Sequence, residues 1–176
     1  MIIRKLTAKD IDAFWELRLQ ALRGFPEAFG SSYEEELHKS EASRKDRFLN
    51  SYIFPDPISF VLGAFDGEKL VGMVGFRQDA RIKTRHKGTV WGMFVMQEYH
   101  HKGVGKALFM ELLDVARDLD WLEQIQLAVV SNNKSAIGLY ELFGFKIWGE
   151  EPRALKIAGT YYDEYYMNLM LNEWDS

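Results

Sequence analysis

A loop that contains two glycines and two lysines lies between two apolar segments, and its composition suits the binding of an anion. The loop and the start of the next segment read YHHKGVGKALF, from Tyr99 to Phe109. Glycines at the N-terminus of a helix let an anion approach unpaired backbone N–H groups, which also carry the positive end of the helix dipole. Lys102 and Lys106 add positive charge on either side. We therefore expect this loop to bind phosphate.

The spacing of these glycines fits neither of two common phosphate-binding motifs. The P-loop spacing GxxxxGK[ST] is absent, and GxGxxG fails because Leu108 or Phe109 stands where the third glycine should be. Short glycine motifs often match by chance, so Gly103 and Gly105 could equally begin a helix whose lysines are solvated. The surrounding elements must decide between the two interpretations.

The segments around the loop predict a strand, a turn and a helix. GTVWGMFVM reads as a strand, and from Gly103 apolar residues recur at helical spacing at Val104, Leu108, Leu112, Val115, Ala116 and Leu119. IQLAVV is a short continuous apolar run, which predicts a strand buried on both faces. A helix over roughly 134–143, stopped by Gly144, and a strand that begins at FKIW follow.

The rest of the chain predicts an α/β domain with a mixed sheet. IIRKL reads as a strand, and Thr7, three residues before Asp10, caps a helix that runs to about Arg23. Residues 31–50 predict one helix or two short ones, and FPDP at 54–57 interrupts the pattern. A hairpin turn at Asp66-Gly67 and a last strand in YYDEYYMNLML complete the order. We expect residues 1–176 to form a single domain.

Composition excludes several classes of function. The chain has no cysteine and four histidines in no HExxH arrangement, so we expect no disulfide, no thiol nucleophile and no metal site. A net charge of -4 disfavours nucleic acid as a partner. No apolar run is long enough for a membrane span, and MIIRKLTAKD lacks the features of a signal peptide, which predicts a cytoplasmic protein.

The glycine loop and its flanks resemble the acetyl-CoA-binding motif of the GNAT superfamily of acyl-CoA N-acyltransferases. That motif reads Arg or Gln, two residues of any type, Gly, one further residue, and Gly or Ala. His100, Gly103 and Gly105 occupy these places within WGMFVMQEYHHKGVGKALFMELLDVA. His100 departs from the usual Arg or Gln, but we expect backbone amides rather than this side chain to make most contacts with the diphosphate.

A second segment, NNKSAIGLYELFGF, resembles the part of the superfamily that follows the next strand, Asn-x-x-Ala-x-x-Leu-Tyr-x-x-x-Gly-Phe. The residues in register are Asn133, Ala136, Leu139, Tyr140, Gly144 and Phe145. The resemblance implies a mixed, mostly antiparallel sheet of six to seven strands, flanked by about four helices and splayed between the fourth and fifth strands. It also implies transfer of an acetyl group from acetyl-CoA to a primary amine. With no cysteine to carry an acetyl-enzyme, we expect direct transfer in a ternary complex.

The resemblance also assigns the cofactor-binding residues. The strand before the loop would bind the thioester and the pantetheine arm through the main chain of Met93, Phe94 and Val95. The diphosphate would be bound by the loop, through His100, His101, Lys102, Gly103, Val104, Gly105 and Lys106. Asn133 and Ala136 would hold the arm near the splay, and Tyr140 would be the general acid to the CoA sulfur. From the residues alone, Asn133 reads equally as a helix N-cap and Tyr140 as a core aromatic.

The sequence leaves the identity of the general base undecided, because the strand GTVWGMFV contains no carboxylate. Candidates are Glu34, Glu35 and Glu36 in SSYEEEL, with Glu35 as the chosen one, although a solvated helix face explains these residues as well. The alternatives are Asp163 or Glu164, which we expect on opposite faces of the last strand, His86, or a water molecule.

The acceptor is also open. Acidic clusters favour a cationic amine, and the tyrosines of YYDEYY could line its carbon chain. A polyamine, an amino acid and a protein amine all fit. The alternative function is a sensor or scaffold that binds acyl-CoA with little turnover, and a homodimer is possible.

Overall fold

The computed structural model describes residues 1–53 and 58–171, and its centre is one sheet of seven strands. The strands are β1 (Ile2–Lys5), β2 (Ser59–Asp66), β3 (Lys69–Gln78), β4 (Lys87–Val95), β5 (Gln124–Val130), β6 (Lys146–Ile157) and β7 (Thr160–Met170). They lie in the spatial order β1-β2-β3-β4-β5-β7-β6. The helices are α1 (Ile11–Gly24), α2 (Tyr33–Leu37), α3 (Glu41–Phe48), α4 (Val104–Arg117) and α5 (Lys134–Leu142). The expected break at 54–57 lies outside the described residues.

Neighbouring strands are antiparallel except β4 and β5, which are parallel and soon separate. In the described part of the chain these two strands pair only at Lys87–Thr89 with Gln124–Gln126. Strand β4 continues to Val95 and β5 to Val130. The expected mixed sheet, splayed between its fourth and fifth strands, is confirmed.

Residues 31–50 contain two helices, the second of the two alternatives expected, and these bring the α-helices within residues 1–53 and 58–171 to five where about four were expected. The reason is local, because each of two serines begins a helix of its own. Ser32 Oγ accepts a hydrogen bond from Glu35 N at 3.1 Å, and Ser40 Oγ accepts one from Ser43 N at 3.2 Å. Side-chain acceptors of this kind satisfy N–H groups that the first turn of a helix leaves unpaired.

Helices α1 and α4 cover opposite faces of the sheet. Leu108 of α4 is fully buried and lies against Gly72 of β3. Gly75, an odd number of residues further along β3, leaves room on the other face for the indole of Trp91. The indole ring lies next to the ring of Tyr52 and the guanidinium of Arg18 from α1.

No helix in the described ranges has the length and apolar character needed to cross a bilayer.

A charged cluster fixes the connection between β1 and α1. Asp10 accepts hydrogen bonds from both terminal nitrogens of Arg4, at 2.8 and 2.7 Å, and from the backbone N and hydroxyl of Thr7. The hydrogen bond from Arg4 is the main reason that the pKa of Asp10 falls to about 2. The predicted N-cap at Thr7 begins a 3-10 turn over Ala8–Asp10 rather than α1 itself, and the Thr7 hydroxyl donates to Asp10, which is the N-cap of α1.

Replacement of Asp10 by Asn should lower the free energy of unfolding by about 1 kcal/mol at neutral pH, since Arg4 is partly exposed and solvent screens the pair. The lowered pKa means that this stabilisation is present above the unfolded-chain pKa, near ~3.9. It is lost as the pH falls towards about 2. Urea unfolding should therefore show the two proteins converging over that range. Asp12→Asn, an exposed change on α1, is the control and should cost little at any pH.

Candidate functional site

Strand β4 carries a bulge at the point where it leaves β5. Met73 lies opposite Phe94 and Gly75 lies opposite Trp91, so Val74 faces both Gly92 and Met93. Gly92 has a φ of 64°, a left-handed conformation that glycine adopts without steric cost. A bulge leaves one residue out of the ladder. Backbone groups of β4 are therefore available at the splay.

The gap between the diverging strands holds a cavity of about 90 Å³. Its walls are Val90–Met93 of β4, Leu127–Val130 of β5, and Ala28. The start of α5 closes it with Asn133, Ala136 and Tyr140. Four residues that were predicted to bind the cofactor or act on it, including Met93, therefore lie around one opening.

The glycine loop presents a row of free amides beside this cavity. Within the described residues, the N–H groups of 101–106 donate to no backbone or side-chain acceptor, and the first bond of α4 runs from Ala107 N to Gly103 O at 2.9 Å. Gly103 has a φ of 77°, and His101 also lies in the left-handed region, at 59°. Successive amides in a turn of this curvature converge, which is the arrangement that binds anions in proteins. Lys102 and Lys106 are exposed at its edges.

Gly105 lets the first turn of α4 lie close to β4. A Cβ atom at this position would lie 3.3 Å from Cε of Met93, which is tighter than ordinary van der Waals contact. The two glycines of the loop therefore have different roles. Gly103 supplies the left-handed turn, and Gly105 allows the close approach.

His100 ties the loop to the end of β4. Its Nε2 lies 2.8 Å from the carbonyl oxygen of Val95, which can only accept, so Nε2 carries the proton. Met96 N donates to Val71 O at 2.9 Å. Because backbone groups alternate in direction along an antiparallel strand, the N–H of Val95 points away from β3 and towards the splay.

Asn133 and Tyr140 are held by helix α5. Asn133 Oδ1 accepts a hydrogen bond from Ala136 N at 3.1 Å, so Asn133 is the N-cap of α5. The Tyr140 ring packs against Phe109 with centroids 5.2 Å apart. Its hydroxyl has no hydrogen-bond partner in the described part of the chain, and burial raises its pKa to about 12. The group is therefore protonated at neutral pH and free to donate.

Two of the three glutamates on α2 make hydrogen bonds or ion pairs that stabilise this part of the fold. Glu35 is exposed, and its carboxylate accepts from Ser32 N at 3.1 Å to complete the capping box. Glu36 is buried, and its Oε1 pairs with Lys39 at 2.8 Å and with Arg47 at 3.1 Å. Both carboxylates already have partners within their own part of the fold. Glu34 is exposed to solvent.

The carboxylates of β7 lie on opposite faces of the strand. Asp163 Oδ1 accepts from Arg153 N at 2.6 Å. Glu164 is half-buried and lies opposite Val130 of β5 and Glu151 of β6. Burial, and secondarily the negative charge of Glu151, raise the pKa of Glu164 above its ordinary value. Glu151 in turn accepts a hydrogen bond from the hydroxyl of Tyr166.

The strand register places Glu164 on the same face as Trp91. Thr89 lies opposite Gln126 in the parallel pair, and Val130 lies opposite Glu164 in the antiparallel one. Residues two apart share a face, so Trp91 and Glu164 both lie on the face covered by α1. The expectation that β5 is buried on both faces is wrong, because Gln126 is half-exposed and Ala128 exposed on this side. We name this exposed strip of β5, which lies between Trp91 of β4 and Glu164 of β7, the acceptor cleft.

Sequence reasoning did not single out Arg18, which lies beside this cleft. Its side chain is 5% exposed and lies near the rings of Trp91 and Phe29, with its carbon Cζ 5.8 and 5.9 Å from their centroids. The available signal was its position three and four residues after Trp15 and Phe14, on the apolar face of α1. An arginine on such a face is uncommon unless it has a partner.

Residues 17–145 match the acetyltransferase (GNAT) family. The chain belongs to this family. GNAT membership makes it an acetyl-CoA-dependent acetyltransferase and confirms the resemblance of both sequence motifs. The described residues contain no group of three or more His, Asp or Glu side chains placed to hold a metal ion.

Individual relatives can be aligned with nearly the whole length of this chain. The L-amino acid N-acetyltransferase of Escherichia coli is 25% identical over 167 residues, which cover 95% of this chain and 96% of that protein. The structure of a GNAT acetyltransferase from Streptococcus pneumoniae has a TM-score of 0.81 and 27% identity, and covers 97% of this chain and 99% of its own. A phosphinothricin acetyltransferase of Sinorhizobium meliloti, solved in complex with acetyl-CoA, has a TM-score of 0.81 at 21% identity, over 97% and 88% of the two chains.

If the free amides of 101–106 hold the diphosphate, the affinity of the protein for acetyl-CoA should depend on the diphosphate of the ligand. Acetyl-CoA should raise Tm at micromolar concentration, and acetyl-pantetheine, which lacks the diphosphate, should not, because charge-assisted hydrogen bonds are about twice as strong as neutral ones. Thermal unfolding with each ligand tests this. Equal shifts from the two ligands would contradict it.

Proposed function

We propose that this GNAT enzyme transfers the acetyl group of acetyl-CoA directly to a primary amine in a ternary complex. The observation that carries the proposal is the splay of β4 from β5, whose opening is lined by the bulged main chain of β4, by Asn133 and by Tyr140. With no cysteine in the chain, no thiol can carry an acetyl-enzyme. Activity as one domain over 1–176, a cytoplasmic location and a homodimer stay predictions.

Acetyl-CoA would lie along the splay with its diphosphate on the loop. The amides of 101–106 would bind the diphosphate, with Lys102 and Lys106 contributing charge. The pantetheine arm would follow the main chain of Met93, Phe94 and Val95, where the N–H of Val95 points into the gap. Asn133 and Ala136 would border the arm on the β5 side. The role of His100 in this scheme is to hold the end of β4 through the carbonyl of Val95.

Attack requires a neutral amine. An alkylammonium has a pKa near ~10.4, so its deprotonation at neutral pH costs roughly 4 to 5 kcal/mol, and a base must accept the proton. We assign this role to Glu164 in place of Glu35, the residue chosen from the sequence. Glu164 lies on the cleft face beside Val130 and has a raised pKa, whereas Glu35 caps α2.

The remaining steps use the main chain of β4 and the hydroxyl of Tyr140. The amine nitrogen forms a bond to the thioester carbon, and a backbone N–H at the bulge stabilises the resulting oxyanion. The C–S bond then breaks and the sulfur takes a proton from Tyr140, whose pKa of about 12 keeps it protonated until that step. The products are the N-acetyl amine and CoA. His86 precedes β4 at the end remote from the cavity, so it has no part in this scheme.

Glu164→Gln should lower kcat/KM for the acceptor by about 10² to 10⁴-fold, the usual contribution of a general base, and leave binding of acetyl-CoA unchanged. In the wild type, kcat/KM should rise with pH as Glu164 loses its proton. Glu151→Gln removes the negative charge that raises the pKa of Glu164, so this rise should move to lower pH.

The matched control for these variants is Glu150→Gln. Glu150 is exposed and lies opposite Tyr165, on the other face of the sheet from Glu164, so its pH profile should match the wild type. A Glu164→Gln enzyme that keeps both its rate and its pH profile would assign the proton transfer to a water molecule or another group.

Tyr140→Phe should lower kcat while KM for acetyl-CoA stays close to the wild-type value. The ring packs against Phe109 and Phe145, and phenylalanine preserves that packing. The loss should be smaller with a thioester whose thiol has a lower pKa, because such a leaving group needs less help from an acid. Steady-state kinetics at saturating acceptor measure both effects. A wild-type turnover number in the variant would remove Tyr140 from the mechanism.

The alternative function, a sensor of acyl-CoA, gives a different result in one assay. Both functions require that acetyl-CoA raises Tm. Only the enzyme releases free CoA thiol when amines are added, so a panel of amines with no release would favour the sensor.

A further inference from the structure

The loop that joins β3 to β4 concentrates positive charge in an otherwise acidic protein. Residues 77–87 contain five Lys or Arg and one Asp, a net charge of +4, whereas the whole chain has -4 and the other residues therefore have -8. Arg81, Lys83 and Arg85 are exposed. Within the described ranges, no carboxylate forms an ion pair with any of these three. We name residues 79–87 the basic loop, and its charge is available to an anionic partner.

The basic loop has a defined backbone shape. Thr84 N donates to Arg81 O, and Lys87 N donates to Thr84 O, both at 2.9 Å. The side-chain amide of Gln78, which is 4% exposed, donates to Arg85 O at 2.9 Å and so ties the loop to the core. The backbone therefore holds these cations close together before any partner binds, which reduces the conformational entropy that binding would cost.

An aliphatic side chain stands among these cations. Ile82 is 85% exposed, more than any other large apolar side chain in the described part of the chain. A single exposed apolar residue is ordinary on a protein surface. The sequence neighbours of Ile82 are Arg81 and Lys83, however, so one loop presents an apolar group together with positive charge. Anionic lipid headgroups above a hydrocarbon layer match both properties.

The basic loop lies at the end of the sheet remote from the glycine loop. It leads into β4 at Lys87, whereas the glycine loop follows the end of β4 at Val95. A strand of nine residues places the two ends roughly 25 Å apart. A surface that binds the basic loop would therefore not cover the amides of 101–106.

We propose that the basic loop attaches the protein reversibly to an anionic membrane surface. Ile82 would insert between the headgroups, and Arg81, Lys83 and Arg85 would pair with lipid phosphates. The attachment is peripheral and does not depend on the proposed N-acetyltransferase function. Each cation near an anionic leaflet strengthens the partition about fivefold, so three of them contribute about a hundredfold. Attachment of this kind is weak and sensitive to salt.

The composition of the basic loop favours a membrane over a nucleic acid. Both partners carry phosphates, but residues 77–87 include no Phe, Tyr or Trp to stack on an unpaired base. An exposed aliphatic side chain adds nothing to contacts with a phosphate backbone, whereas it gains from entering a lipid layer.

The first test is sedimentation of the whole protein with vesicles of two compositions, phosphatidylcholine alone and equal parts of phosphatidylcholine and phosphatidylglycerol. We expect partition into the anionic vesicles to exceed partition into the neutral ones about a hundredfold at low salt. Added NaCl should reduce the difference, because salt screens exposed charges. Equal partition into both kinds of vesicle, or no binding to the anionic ones, would overturn the inference.

The second test removes the charge and the apolar group separately. The triple change Arg81→Gln, Lys83→Gln and Arg85→Gln should lower partition into the anionic vesicles about a hundredfold. Ile82→Ser should lower it about tenfold, because an aliphatic side chain is no longer buried in the lipid. Both proteins should keep the wild-type Tm shift with acetyl-CoA, which shows that they are folded.

The matched control for charge is the triple change Arg23→Gln, Lys45→Gln and Lys69→Gln. It removes three exposed cations from other segments of the chain, so the net charge of the protein changes by the same amount. Its partition should stay near wild type. An equal loss in the two triple variants would attribute the binding to net charge and overturn the assignment to the basic loop.

Duplex RNA is the competing partner, and fluorescence anisotropy measures its binding to the same proteins. Tighter binding to duplex RNA than to anionic vesicles, unchanged in Ile82→Ser, would overturn the inference in favour of a nucleic-acid site. Thiol release with amines is a separate measurement. Its absence would overturn the proposed function and leave the membrane inference standing, and loss of vesicle binding would leave the proposed function standing.

Discussion

The divergence of β4 from β5 is the constraint on which the rest of the site depends. Two parallel neighbours that pair over three residues and then separate leave backbone groups without partners in the middle of a sheet. Such groups are costly to bury unless something pairs with them. Here the bulge at Gly92 turns β4, and the start of α5 closes the gap with Asn133. The gap is thus shaped for an extended ligand that supplies the missing hydrogen bonds.

The two faces of the sheet carry different parts of the candidate site. On the α4 face, the turn at Gly103 and the close approach at Gly105 bring a row of amides to the end of β4. On the α1 face, Trp91 and Glu164 lie on either side of the acceptor cleft. In the proposed function, acetyl-CoA bound along the splay would react with an acceptor bound on the α1 face. Direct transfer in a ternary complex fits this arrangement.

Sequence reasoning predicted the parts of this site that use main-chain atoms or local structure. The glycine loop, the cap at Asn133 and the position of Tyr140 all follow from motifs within single strand, loop and helix units, where neighbours in sequence are neighbours in space. The general base was harder to assign. From the sequence alone, Glu35 and Glu164 are equally plausible candidates for the general base. Only the register of β7 against β5 and the capping box on α2 distinguish them. Arg18 was missed because it lies within an apolar pattern that reads as core.

The sequence by itself determined the order of strands and helices, the position of the glycine loop and the family, since each depends on periodicity or on a spacing of a few residues. Tertiary structure alone decided where β4 and β5 part, which side of β5 is open, and which charged side chains are buried. The physical reason is that burial and pairing of a charge depend on residues far apart in the chain. Arg18 of α1 lies near Trp91 of β4, and Glu164 of β7 lies opposite Val130 of β5, only because the fold brings these distant segments together.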